Sequence, residues 1–298
     1  MSSLVPRVVL ISRPTEYAAL LAAHGTRGQA AFFLADRGQD IDAVEYRDIQ
    51  QDIALSAAKQ AIPSDWSFAH VIRDDLSRFL FFPNDIVVAV GQDGLVANVA
   101  KYLDVQPVIG ISPDPTTTEG VLTPHGVKGL DKLLTATAQN SIHIQARAMV
   151  QASVGPGQTL TALNELFIGH RSHQSARYVV QSGEAAEFQS SSGMIVATGT
   201  GLTGWAKTIM SATHRKFEIA PEENRAAFFA REPWPSRTSG NAISAGEISN
   251  QKELTVSSHI NDGGVIFADG IEQDFLSFDW GVQAQITMSE RRLNLVAV

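Results

Sequence analysis

A chain of 298 residues can bury one large core or two modest ones without staples. Its 23 basic residues face 31 acidic ones, a formal charge of −8, which argues against nucleic acid or an anionic membrane surface as a partner. The absence of cysteine excludes disulfides and thiolate chemistry. With no leader-like start and no apolar run approaching about 18 residues, the expectation is a cytoplasmic protein.

Arg7 to Ser12 reads as a first buried strand that Pro14 ends, and Thr15 is placed to cap a helix from Glu16 to Ala23. His24 to Gln29 forms a polar linker before a second helical run, Ala30 to Arg37. Arg27 in that linker is either a phosphate contact or a solvated turn residue, and turn chemistry favours the latter. Helical pieces follow at Gln50 to Ile62 and Asp74 to Phe82, until Pro83-Asn84-Asp85 breaks the pattern. Ile86 to Val90 is an unbroken apolar run that leads into Gly91-Gln92-Asp93-Gly94 and a helix to Leu103. Strand, turn and helix in this order are the grammar of a parallel sheet, where ligands gather beyond the carboxyl ends of the strands. Gly91 and Gly94 lack a Cβ, so a phosphate can approach the backbone and meet the free N–H groups that open the helix. Asp93 is the one ionisable group in this turn. A carboxylate among phosphate-seeking amides makes sense facing a hydroxyl or sharing a metal ion, and the plainer alternative is a helix cap. Pro107 to Ser112 supplies the next strand.

Near residue 140 the texture changes. Ile142, Ile144, Ala146, Ala148 and Val150 alternate with mostly polar neighbours, the period of a half-exposed antiparallel strand. Similar pieces occur at Leu163 to Ile168, Ala176 to Gln181, Met194 to Thr198, Leu254 to Ile260, Val265 to Ala268 and Val282 to Met288. The fold class expected is α/β plus all-β: an N-terminal doubly wound α/β domain over residues 1–130, then a C-terminal antiparallel β-sandwich over 131–284.

Gly199-Thr200-Gly201-Leu202-Thr203-Gly204 matches a dinucleotide fingerprint and suggests an NAD-dependent oxidoreductase. Its surroundings alternate as antiparallel strands, whereas that fingerprint needs a βαβ unit. Lys207 lies three residues past Gly204, too far for a P-loop. What remains is a Gly/Thr-rich loop, with Thr198, Thr200, Gly201 and Thr203, suited to a phosphate or ribose. Asn164-Glu165 at the head of a strand places an amide beside a carboxylate, which suits a ribose or a base edge. His170 and His173 lack a nearby third ligand and read as a surface loop, and no metal-ligand set stands out. Neither Gly-x-Ser-x-Gly nor a Ser/His/Asp set supports hydrolase chemistry.

Taken in order, these segments resemble the NAD kinase family, within the superfamily that includes diacylglycerol kinases. Those enzymes carry a Gly-Gly-Asp-Gly turn where this chain has Gly91-Gln92-Asp93-Gly94, and an apolar strand ending in Gly-Ile-Asn, similar to Gly110-Ile111-Ser112. An Asn-Glu pair matches Asn164-Glu165, and a loop Thr-Pro-Thr-Gly-Ser-Thr-Ala-Tyr resembles Thr198-Gly199-Thr200-Gly201-Leu202-Thr203-Gly204-Trp205. A late Asp-Gly turn matches Asp269-Gly270. Ser112-Pro113-Asp114-Pro115 and the loop's spelling are closer to the mitochondrial-type enzymes. The resemblance implies a tail, 285–298, that packs back on the first domain. It also implies phosphorylation of the adenosine-ribose 2′-hydroxyl of NAD by ATP or polyphosphate with Mg²⁺, in a homo-oligomer, dimer or tetramer. Asp93 is then the group that orients the hydroxyl and accepts its proton. Among the departures from the family pattern, Gln92 stands for a glycine, Leu95 for Thr and Leu202 for Ser. The alternatives are a nucleotide-binding homologue without catalysis, or a kinase acting on a sugar or lipid hydroxyl; acidic charge disfavours the lipid.

Overall fold

The computed structural model describes residues 5–116 and 120–297. By internal contacts the chain divides into two units, Met1–Gln145 with Asn294–Val298, and Ala146–Leu293. The expected boundary at residue 130 coincides with the start of a helix that the first unit retains.

The first unit runs β1 (Arg7–Ser12), α1 (Glu16–His24), α2 (Arg27–Ala35), α3 (Ile41–Ala61), β2 (Ser67–Ile72), a 3-10 turn (Arg73–Arg78), β3 (Ile86–Val90), α4 (Asp93–Ala100), β4 (Pro107–Ile111) and α5 (Leu130–Ala138). The four strands are parallel in the order β2-β1-β3-β4. From the chain's end, Asn294 and Leu295 pair parallel with Pro107 and Val108 on the free side of β4. The chain moves outward from β1 to β2 and then crosses back to β3, so the strand order reverses between β1 and β3. A crevice opens there beyond the carboxyl ends. β3 is unbroken in its hydrophobicity because it is covered twice. Ile86, Val88 and Val90 pack with Ala54 and Ala58 of α3 and Leu130 and Leu134 of α5, while Val87 and Ala89 point to the opposite face.

Local chemistry sets the helix starts. Thr15 Oγ1 accepts from Ala18 N at 3.2 Å, as a cap should. Thr26 caps α2 through Gln29 N, so this helix begins at Arg27, ahead of the expected start at Ala30. Arg27 pairs with Asp42 at 2.5 Å and Glu45 at 2.9 Å and thereby ties α2 to α3; it belongs neither to a phosphate site nor to a free turn. Asp40 accepts from Asp42 N and starts α3 nine residues before the expected Gln50. The segment after Arg73 is a 3-10 turn that stops at Arg78.

The second unit is a β-sandwich. One sheet has the order β16 (Gln283–Val296), β13 (Leu254–Ser258), β8 (Ala176–Ser182) and β9 (Ala185–Ser191), with β5 (Ile144–Gly155) pairing β16 and β6 (Gln158–Ala162). The other has the order β12 (Ala245–Ser249), β11 (Arg225–Ala230), β10 (Met194–Thr198), β7 (Glu165–His170), β14 (Gly264–Ala268) and β15 (Ile271–Ser277), antiparallel throughout. Leu166, Ile168, Met194, Val196 and Phe228 face Tyr178, Val180, Val256 and Ile286 across the core. On the outer face of the second sheet, Phe167, Ile195, Ala197 and Phe229 pack with Leu202, Ala206 and Ile219, which seats α6 (Trp205–Thr213) there. The architecture is an α/β unit followed by an antiparallel sandwich.

Candidate functional site

Two constellations of the expected residues form, one in each unit. In the first unit a cleft of about 540 Å³ opens at the reversal between β1 and β3. Gly91 and Gln92 from the end of β3 line it, with Arg13 from the end of β1, Tyr46 and Gln51 from α3, and Asp114 beyond β4. Gln51 is buried, and its Nε2 donates to Val90 O at 2.9 Å, holding the last carbonyl of β3. Arg13 Nη2 donates to Gln92 Oε1 at 2.8 Å, so the Gln92 side chain reaches across to the end of β1. Gly91 also supports packing, since a Cβ there would lie 3.1 Å from Leu95 Cδ2. Leu95 is buried and belongs to the core. Gly94 stays exposed with nothing near its missing Cβ.

Asp93 is the first residue of α4, behind Gln92, and it is not the cap. Its Oδ1 accepts from Leu122 N at 2.9 Å, Thr123 N at 3.0 Å and Thr123 Oγ1 at 2.9 Å, while Oδ2 accepts from Val121 N at 2.8 Å. The carboxylate thus fastens the 121–123 segment to the head of the helix. Gly120 fits because a Cβ would come within 2.8 Å of Asp93 Oδ1, and Gly110 because Leu122 O passes 1.9 Å from where its Cβ would stand. Oδ2, with a single bond among the described residues, is the face able to accept from a ligand.

In the second unit, antiparallel pairing of β10 with β7 sets Ala197 opposite Glu165 and carries the 198–203 loop past Asn164. Thr198 N donates to Asn164 O at 3.0 Å and Thr198 Oγ1 to Leu163 O at 2.5 Å. Gly201 is obligatory, since a Cβ would meet Asn164 O at 2.0 Å. Thr200 Oγ1 accepts from Arg147 at 3.4 Å, and Thr203 Oγ1 donates to Thr200 O at 2.9 Å, so the threonine hydroxyls shape the loop from within. Leu202 is buried under α6.

Asp269 clamps the strand opening. Its carboxylate accepts from Leu163 N at 3.0 Å, Asn164 N at 2.7 Å and Glu165 N at 3.2 Å. Asp269 and Gly270 both have positive φ, +50° and +72°, the two-residue turn that Asp-Gly favours between β14 and β15. Among the described residues, the Asn164 amide and the Glu165 carboxyl make no side-chain hydrogen bond, and both are half-buried. Burial, and then the charge of Asp269, push the Glu165 carboxyl up to about 7.

Sequence reasoning missed Arg13, Gln51 and the clamping role of Asp269. Arg13 had a usable signal, because a cation directly after the first strand sits at the switch point once β1 and β3 are neighbours. Gln51 had none, being one polar residue within a helix.

No protein-family model matches this sequence, and a search of curated proteins finds no match. Solved structures do match. An NAD kinase from Archaeoglobus fulgidus, in complex with ATP, aligns with a TM-score of 0.62 at 17% identity, covering 98% of this chain and 93% of that one. Yeast NADH kinase complexed with NADH aligns with a TM-score of 0.61 at 14% identity, covering 99% and 84%. At these identities the likeness is one of fold: this chain has the two-part fold of NAD kinases from end to end.

Proposed function

We propose that this chain is an NAD kinase-like phosphotransferase that moves a phosphoryl group from ATP, or from polyphosphate, to the adenosine-ribose 2′-hydroxyl of NAD. One observation carries the reading. On a fold shared with an NAD kinase over 98% of its length, Asp269 fixes the backbone of Asn164 and Glu165 while both side chains stay open to a ligand. An amide and a carboxyl side by side match a ribose diol or an adenine edge. The cleft beside Gly91 and Gln92 suits the donor's phosphates, with Arg13 as counter-charge and the α4 amides as donors.

The 2′-oxygen attacks the terminal phosphorus, the bond from that phosphorus to the bridging oxygen breaks, and the shortened donor leaves. The hydroxyl proton passes to Asp93 Oδ2. Among the described residues no three His, Cys, Asp or Glu side chains form a metal cage. Mg²⁺ would arrive on the phosphates with a single protein carboxylate, and Glu16, Asp48 and Asp114 are the carboxylates that line the cleft. When bound, the ion neutralises charge on the transferred group.

The second reading is a nucleotide-binding homologue without catalysis, favoured by the four donors that already engage Asp93. A coupled NADP(H) assay with NAD and NADH as acceptors, and ATP and polyphosphate as donors, is expected to show turnover. Background rates with every pair, in a folded protein whose melting temperature NAD raises, would leave the second reading in place.

A further inference from the structure

At the far end of β7 from Asn164, the loop that begins at His170 faces the segment His259 to Gly263 across a groove of about 760 Å³. Arg171, Arg177, His170, His173 and His259 line it, against one acid, Asp262. In a chain of net charge −8 this concentration of base is unusual. Several arginines elsewhere are matched by acids: Arg7 pairs with Asp85, Arg47 with Glu16, and Arg225 with Glu223 and Glu247. Neither the Arg171 nor the Arg177 guanidinium makes an ion pair or hydrogen bond among the described residues.

The groove has a built floor. Ser172 N, which can only donate, lies 3.0 Å from His170 Nδ1, so that nitrogen carries the lone pair and the neutral ring keeps its proton on Nε2. Gly263 makes room for both side chains: a Cβ there would sit 2.8 Å from His170 Nε2 and 3.2 Å from Arg171 Nε. Gly263 has φ +78°, which excludes most side chains, and its carbonyl accepts from Arg171 N at 2.9 Å. The His170 ring and the Arg171 side chain therefore pack over the glycine, and a second guanidinium, that of Arg177, lines the groove with them.

We propose that this groove is a seat for a polyphosphate oxyanion, distinct from the cleft and the Asn164 cluster. Guanidinium forks and imidazole N–H groups match tetrahedral oxyanions, and the groove's volume exceeds that of a single phosphate. The inference stands apart from the kinase reading, because no residue of the groove belongs to either constellation.

Inorganic tripolyphosphate, titrated into the full chain and followed by the imidazole resonances of His170 and His259, tests it. The wild-type signals are expected to move saturably below about 10 mM. In the Arg171→Ala/Arg177→Ala double variant the affinity should fall by about tenfold or more, with the melting temperature unchanged because both side chains are exposed. If ATP displaces the tripolyphosphate from these resonances, the seat accepts the triphosphate of a nucleotide; if ATP does not, it is specific for the inorganic chain. Immobile imidazole signals in the wild type, or equal affinity in the double variant, would overturn the proposal. Both readouts are local to the groove, so an inactive kinase site would not mimic either result.

Discussion

The turn after β3 and the opening of β7 each carry an acidic residue that sequence alone singled out, and the protein uses the two oppositely. Asp93 is engaged by four donors and fastens a neighbouring segment. Glu165 makes no side-chain hydrogen bond among the described residues, and the fastening in its region falls to Asp269. A carboxylate in a strand-end turn is therefore not open to a substrate merely by being there. The open group is the one whose backbone has been fixed by somebody else's carboxylate.

The strongest way to break that comparison is Asp93→Asn. An amide offers one acceptor oxygen where the carboxylate offers two, so an N–H of the 121–123 segment would face the new NH₂. We expect turnover to fall by about a hundredfold or more and stability to fall by about 1–3 kcal/mol in urea unfolding. Undiminished turnover with lowered stability would assign Asp93 to fastening alone. Asp269→Asn should reproduce the stability loss without altering the proton-transfer step.

Glu165 sharpens the comparison through pH. Its carboxyl is raised to about 7 from an ordinary 4.5, first by burial and then by Asp269, so the native state holds a proton that the unfolded chain has already released. The associated stability is complete below about pH 4.5 and is lost as pH rises through 7, amounting to about 2–3 kcal/mol at most. Urea midpoints at pH 5 and pH 8 should show this fall in the wild type, and Glu165→Gln should abolish it. A wild type that gains stability over this interval, with the same slope in the variant, would remove the assignment.

Asn164→Ala is expected to weaken NAD binding by about tenfold while ATP affinity holds, since an open amide of this kind is worth about 1–3 kcal/mol. Calorimetry with both nucleotides decides it, and the reverse ordering would exchange the two ligands between the units. The smallest effect belongs to Gln92→Gly. Losing the exposed bond to Arg13 frees the guanidinium over the cleft, and the KM for the phosphoryl donor should rise about two- to fivefold with kcat steady. A lower KM would identify Gln92 as an obstruction.

Much of this was legible in the chain. β1, β3 and β10 are short, β-branched runs bounded by turn residues, and their limits coincide with the expected ones or nearly so. β11, Arg225–Ala230, left no alternation to read because both of its faces are buried, Ala226 and Phe228 on one and Ala227 and Phe229 on the other. β15 is largely exposed and acidic, so its identity comes from the Asp269-Gly270 turn and pairing with β14. For the site, the residue types and their order were readable, since glycines and Asn-Glu pairs sit in local sequence. Whether a carboxylate is occupied was not. The donors that engage Asp93 lie 28 to 30 residues away, and Asp269 acts on residues 104 to 106 earlier.

The last residues of the chain have a consequence for how the protein is made. Asn294 and Leu295 complete the free side of β4, Val296 lies in the core beneath α3 and α5, and its carbonyl meets His125 Nε2 at 3.1 Å. The first unit therefore emerges from the ribosome with a strand and a core residue still unsynthesised, and must wait while Ala146–Leu293 is translated, on the order of ten seconds at ordinary elongation rates. Through that interval β4 is an uncovered parallel edge, and the nascent first unit is the stage at which a chaperone holding open sheet edges would matter most. Pulse proteolysis of stalled nascent chains carrying an added C-terminal linker should find the first 145 residues cleavable until the linker is long enough to bring residue 296 out of the exit tunnel, and resistant afterwards.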